Sequence, residues 1–525
     1  MITRLINLNW RTPLCASPAI YGLLLFATVL LSACAKESTS VTPDTTTGTG
    51  STTTGTGTSG VVIGSITSTT SAPEGSTATA ANAEDLLANS TFSSTVTIGM
   101  GTTATISNPL ADNGVTVTQS NGDVVITATA TGVAYVLTGT TTSGSVKIYS
   151  DKKFLLTLNG VNITNNDGPA INIQSSKRAF IVLADNTTNS LTDAVTYTAS
   201  GTEDQKGTLF SEGQLIFSGN GTMNVKGNNK HAIVSDDYVR IVSGTINING
   251  AASDGIHTND AFIADGGTVT LTASNDGIQC EEGYIVINNG TFTINVADKG
   301  IAASYDTDTT IDPYLTINGG VISITSTAGE GIESKSVLTI NKGTINIRTY
   351  DDGINAGTFI YINGGTIYAY SSNNDGIDSN GKLTVTGGQI VSVGAGGPEE
   401  GFDCDRNTFK ITGGVMVGIG GATSTPTASV STQPSVILGS GTANQLFHIE
   451  ANDGTETVTF LIPRAYSTML FSSPKLKTGT TYKVYTGGNV TGGILSNGLY
   501  TSGTYVPGTQ SKTFTTSSMV TTSNR

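Results

Sequence analysis

The chain has 525 residues, of which 12% are charged and 6% aromatic, with 65 glycines and a formal net charge of −14. This composition excludes a helix-rich enzyme and points to an all-β chain of short strands and many turns. The acidic balance, with a pI near 4.6, argues against nucleic acid as a partner and suits cation binding.

At the N-terminus, Arg4 and Arg11 precede an apolar run of 12 residues, Gly22 to Ala33. That run is too short to cross a bilayer comfortably. It ends in L-S-A-C, Leu31 to Cys34, which resembles the lipobox of bacterial lipoproteins. Residues 1–34 are therefore expected to be a lipoprotein signal peptide with Cys34 as the lipidated residue. A plain signal peptide or a buried apolar segment is the competing reading. Residues 35–84 contain T-T-T-G-T-G-S-T-T-T-G-T-G, cannot build a core and read as a flexible tether. Anchor, tether and body form a surface-display plan. The expected place is the cell surface, with the membrane as partner through the lipid on Cys34. It would be the outer membrane in a Gram-negative cell, since no aspartate follows the cysteine.

A repeat begins weakly near Leu155 and becomes strong after residue 250. Its glycines stand at 255, 277, 300, 331, 353, 376 and 401, with gaps of 22, 23, 31, 22, 23 and 25. One unit reads L-T-I-N-G-G-T-I-N-I-x-x-x-D-D-G-I-N-A, three short segments alternating with period two. This predicts a right-handed parallel β-helix over residues 85–420, one turn per repeat. The alternation sorts residues into columns. Ile246, Val269, Phe292, Ile322, Ile345, Ile367, Ile390 and Met416 form one inward column. Asn288, Asn318, Asn341 and Asn363 coincide and predict a ladder of amides between rungs. Cys280 and Cys404 fall on a small inward column five rungs, roughly 24 Å, apart, beyond disulfide reach. One long interval holds an inserted loop, Ser304 to Tyr314. Residues 421–525 lose the beat and read as a β-rich cap or small domain over the open edge.

The outward residues around D-G-I form two columns. The first is Asp254, Asp276, Lys299, Glu330, Asp352, Asp375 and Glu400; the second is His257, Gln279, Ala302, Glu333, Asn355, Asp378 and Asp403. Carboxylates stacked about 4.8 Å apart repel one another. A hard divalent cation relieves this, because Ca2+ takes roughly 6–8 oxygens in flexible geometry. The expected calcium ligands are Glu330, Glu333, Asp351, Asp352, Asn355, Asp375, Asp378, Glu400 and Asp403. Asp254 and Asp276 read instead as turn formers, and His257 as a polar surface residue. Lys299 and Lys335 lie beside the columns. They either balance charge or, next to calcium, abstract the proton α to a uronate carboxylate. Tyr305, Tyr350, Tyr361 and Tyr368 either stack on sugar rings or are ordinary strand tyrosines.

The ordered set of V-L-T-G-T, L-T-L-N-G-V-N-I-T-N-N-D-G-P-A-I, the repeated L-T-I-N-G-G-T-I and D-D-G-I-N-A, and Y-K-V-Y-T-G-G-N-V-T-G-G resembles one family. It is the bacterial calcium-binding, β-helical carbohydrate-binding domain family, itself similar in fold to polysaccharide lyase family nine. The likeness covers roughly residues 85–522. The lyase calcium cluster uses D-D-x-x-D; here Asn374–Asp378 begins with asparagine, and Asp351–Asn355 ends with one. The resemblance implies a surface lipoprotein that binds acidic polysaccharide such as polygalacturonate, with structural or bridging calcium. The rival readings are a calcium-dependent, pectate-type polysaccharide lyase, and an adhesin or structural surface protein without a glycan ligand.

Overall fold

The computed structural model describes residues 60–305 and 307–523. The apolar leader, Cys34 and tether residues 35–59 lie outside the described residues.

The D-G-I segments, the L-T-I-N segments and the G-T-I-N segments each become a short strand. Ile377–Ser379, Lys382–Val385 and Gln389–Val393 make one rung. Stacked in parallel, these rungs build an all-β solenoid of about thirteen turns. The columns align as the repeat requires: Ile332 pairs with Ile354, Ile354 with Ile377, and Ile377 with Phe402. The 31-residue interval does not break the register, since Ile301 still pairs with Ile332. The extra residues leave the rung as the 304–314 loop. The glycine of D-G-I is required by the stacking itself. A Cβ on Gly331 or Gly353 would lie 2.5 Å from the carbonyl oxygen of the next rung's glycine, closer than any packed Cβ contact. The inward column from Ile246 to Met416 is fully buried and joins one continuous core. Each rung gains this burial only from its neighbours. Cys280 and Cys404 are buried free thiols in that core.

The asparagine ladder forms. Asn318, Asn341 and Asn363 each donate to the side-chain oxygen of the asparagine one rung back, at 2.8 Å. The second amide hydrogen of each finds a partner the repeat does not foreshadow. Residues 60–85, expected as the end of the flexible tether, run along the ladder as a strap. Asn363 donates to the carbonyl of Glu74, Asn341 to Ser76, Asn318 to Ala78 and Asn288 to Thr79, at 2.7–2.9 Å. The strap begins at Val61–Val62, paired with Tyr505 and Thr504. It ends at buried Asp85, bonded to Arg178, Tyr238 and Arg240 at 2.8, 2.6 and 3.3 Å. The expectation of a tether up to residue 84 is corrected here. The start of the strap is anchored by Ile63, buried beside Leu446 and Tyr505; beyond it the Thr/Ser/Gly stretch has no apolar face, and its backbone carbonyls meet a row of donors already in place.

Both ends of the solenoid are covered. At the first rungs, Ser94–Met100 pairs antiparallel with Thr105–Ser107. At the last, Val415–Gly420 pairs antiparallel with Thr468–Ser472, which also pairs with Ser435–Leu438. A seven-stranded antiparallel sheet, curved as a half-barrel, completes the C-terminal region. It packs Phe447, Ile449, Phe460 and Tyr482 onto the outer side of the last rungs, against Tyr368, Val391 and Val417. Two residues after Ile390 and Met416 the chain has Ser392 and Gly418; at Gly418 the reason is the Phe402 ring of the solenoid core, 2.3 Å from where a Cβ would sit.

Candidate functional site

The three-residue strands Ile354–Ala356 and Ile377–Ser379 bury their first and third residues. The middle residue, Asn355 or Asp378, is thereby turned outward. The carboxylate just before each glycine has a structural task. One of its oxygens accepts the backbone N–H of the residue one rung on: Asp254 from Asp276 at 3.2 Å, Asp276 from Lys299 at 2.8 Å, Asp352 from Asp375 at 2.9 Å, and Asp375 from Glu400. These aspartates therefore stitch rungs together with one oxygen and keep the other for a second partner.

At the C-terminal end of this face, Asp375, Asp378 and Asp403 each offer a carboxylate oxygen, all within 4.8 Å of one another. Two oxygens on opposite sides of one Ca2+ stand about 4.8 Å apart, so the spacing fits a single hard cation. Asp403 is held in place through its Oδ1, which accepts from the Cys404 and Asp405 N–H groups at 2.6 and 2.9 Å and from the Ser424 hydroxyl at 2.9 Å. Glu400 Oε2 is buried and has no hydrogen-bond partner among the described residues. Asp375, Glu400 and Asp403 line a groove of about 1010 Å³, together with Arg406, Asn407 and Ser424. Burial and then the neighbouring carboxylates push the acids up: Asp375 to about 6, Asp378 and Glu400 to about 7, and Asp352 to about 8. An all-oxygen set of carboxylates that resist ionising together is the donor chemistry a hard divalent cation satisfies.

The other expected ligands are engaged with protein partners. Asn355 donates to Asp352 at 3.1 Å and to Asp378 at 2.8 Å, so it bridges two carboxylates as a donor instead of offering an oxygen. Asp351 accepts from Asn374 at 2.6 Å. Glu333 is buried between Lys299 and Lys335 and bonded to both, and Glu330 lies 3.9 Å from Lys299. Those lysines neutralise the middle of the face without a metal. Burial works to lower the Lys299 ammonium, but Glu333 and Glu330 outweigh it and hold it above its ordinary value. A general base needs the opposite shift.

The four tyrosines do not converge. Tyr368 is 3% exposed in the second core beneath the C-terminal sheet, with Arg348 over its ring, so the expectation that it meets a ligand is corrected. Tyr361 packs under the strap, its ring 2.6 Å from where a Gly75 Cβ would be. Tyr305 and Tyr350 are exposed, the first in the inserted loop on the acidic face and the second in the turn before Asp351.

A second cluster, absent from the sequence reading, lies at the other end of the face. His231 Nδ1 and His257 Nδ1 stand 3.1 and 2.9 Å from the same oxygen, Asp254 Oδ2. The rings are 4.4 Å apart, inclined by 31°. His257 Nε2 meets Glu281 at 3.1 Å, and Asp254 Oδ1 accepts from Asn275 at 2.7 Å. His231 Nδ1 also lies 3.3 Å from the Asp254 N–H. Burial alone would raise the Asp254 carboxyl, but the two histidines hold it well below the usual carboxylate range, and the Asp254 and Glu281 carboxylates raise His257 against its burial. The signal was in the register. Ile233 pairs with Ile256, so counting two residues back puts His231 in the first column directly beside Asp254.

A family model described as carbohydrate-binding domain-containing protein matches residues 120–374 and 310–455. A carbohydrate-binding domain-containing protein of Acetivibrio thermocellus is 33% identical over 111 residues, which are 20% of this chain and 39% of that relative's length. Among solved structures, the polysaccharide lyase-like protein from C. thermocellum, as a gadolinium derivative, is 23% identical with a TM-score of 0.37, covering 55% of this chain and 96% of that one.

Proposed function

The chain belongs to the carbohydrate-binding domain-containing protein family, and from that premise we propose that it binds an acidic polysaccharide, of the polygalacturonate type, through Ca2+ held by Asp375, Asp378 and Asp403. The observation that carries this reading is the convergence of the Asp375, Asp378 and Asp403 carboxylates, with Asp375, Asp403 and the unpartnered Glu400 oxygen lining an open groove of about 1010 Å³. A bare acidic face would repel a polyuronate. Three protein carboxylates occupy only part of the roughly 6–8 positions of Ca2+, and uronate carboxylate and hydroxyl oxygens suit the remainder. Arg406, on the groove wall, supplies a planar donor pair matched to a sugar carboxylate. The L-S-A-C at Leu31–Cys34 fits display on the cell surface through a lipid on Cys34, in the outer membrane of a Gram-negative cell.

The test is affinity electrophoresis through polygalacturonate, with Ca2+ and with EDTA. Retardation is expected only with Ca2+, and Asp378→Asn and Asp403→Asn should each lose it. Undiminished retardation in EDTA, or in both variants, would sink the calcium-bridged reading. If an ultraviolet-absorbing 4,5-unsaturated product accumulates in the same incubation and vanishes in Lys335→Ala, the protein is a lyase, not a binder alone.

A further inference from the structure

We propose that His231, Asp254 and His257 form a site for a borderline divalent transition metal of the Zn2+ class, separate from the acidic cluster. Asp254 is five rungs from Asp375, about 24 Å along the solenoid, with the Lys299–Glu333–Lys335 bridge between them. The whole chain has three histidines, and two of them meet here across adjacent rungs. The donor set is two imidazole nitrogens and one carboxylate oxygen, the ligands that suit Zn2+ and its neighbours and not Ca2+ or Mg2+.

Two of the three donor separations already match ligands around one ion. Tetrahedral ligands about 2.0–2.1 Å from Zn2+ stand roughly 3.3 Å from one another. Each Nδ1 is 3.1 or 2.9 Å from Asp254 Oδ2, and all three donor atoms lie within 4.8 Å of one another. The surrounding bonds aim these atoms. Glu281 faces His257 Nε2 at 3.1 Å. With a metal on Nδ1, that carboxylate would keep the remaining proton on Nε2, the usual outer arrangement of a metal-bound histidine. Asn275 and the Asp276 N–H hold Asp254 Oδ1 at 2.7 and 3.2 Å, so Oδ2 is the oxygen turned to the two histidines. Binding replaces the long contact between the Asp254 N–H and His231 Nδ1 and releases to solvent the proton between His257 Nδ1 and Oδ2. Three protein ligands leave the fourth position of the ion open to water or to a ligand oxygen.

The test uses the full chain, stripped with EDTA and titrated with Zn2+ against a chromophoric chelator, in the presence of excess Ca2+. One Zn2+ per chain is expected, undisplaced by Ca2+ and retained in Asp378→Asn. His257→Gln places in the column the residue that Gln279 already supplies one rung on, so the fold accommodates it. That variant and His231→Asn should weaken Zn2+ binding by more than about 100-fold, and the surface change Glu281→Gln by about 10–100-fold. Cobalt substitution should give the visible absorption of four-coordinate Co2+ in the wild type and lose it in His257→Gln. Equal Zn2+ affinity in the wild type, His257→Gln and Glu281→Gln, displacement by Ca2+, or no stoichiometric binding at all would each overturn the site.

Discussion

One oxygen of Asp352 accepts the N–H of Asp375, and the other accepts from Asn355. The same residue thus joins two rungs and belongs to the charged face, and neither role is visible without the other. Because Asp352 and Asp375 fix adjacent rungs in this way, the stacked carboxylates of the wall stay close when they ionise. Their pKa values, about 6 to 8 for Asp375, Asp378, Glu400 and Asp352, lie above the unfolded values of about 3.9–4.3. The folded state therefore holds protons more tightly than the unfolded one. This contribution to stability is complete below about pH 4 and is lost as the pH rises through about 6 to 8. In EDTA the melting temperature should fall between about pH 5 and about pH 8. Added Ca2+ should raise it more at the upper end of that range than at the lower. A Ca2+ effect on the melt that does not grow with pH would contradict a cation neutralising these acids.

The strap and ladder make one element from two unlike sequences. Each ladder asparagine spends one amide hydrogen on its neighbour and the other on a strap carbonyl. Asn341→Ala removes three of these bonds, to Asn318, to Ser76 and from Asn363. It leaves half-buried partners unmet, which costs about 1–3 kcal/mol. The expected result is a lower unfolding midpoint together with earlier proteolysis within residues 60–85, while Ca2+ binding at the far face stays unchanged. The ladder itself could be read from the coincidence of Asn288, Asn318, Asn341 and Asn363, because stacked rungs bring equal positions together. The strap could not. Its hold depends on backbone carbonyls meeting side chains more than 200 positions away, and its own residues carry no pattern.

Over the whole molecule, the solenoid arranges unlike sites in a line along one face. The histidine cluster lies near the middle of the solenoid, the lysine-bridged Glu333 three rungs further on, and the carboxylate cluster and groove beside the last rungs. The C-terminal region closes the open edge of Val415–Gly420 and covers the outer side of the last rungs. A chain ended after Gly421 should expose that edge and Tyr368, Val391 and Val417, and self-associate. Light scattering after size-exclusion chromatography would read this as a larger assembly than the full chain forms, and an assembly no larger than the full chain's would refute it. The sequence by itself determined the all-β solenoid, its columns, the buried thiols and the stacking of Asp375, Asp378 and Asp403, because a fixed period converts spacing along the chain directly into neighbourhood in space. Only the tertiary structure decided what lies between columns and across faces. Glu333 goes to two lysines, Tyr368 goes under the C-terminal sheet, the strap lies on the ladder, and His231 meets His257. Those outcomes turn on side-chain reach, burial and contacts from outside the repeat, which periodicity does not encode.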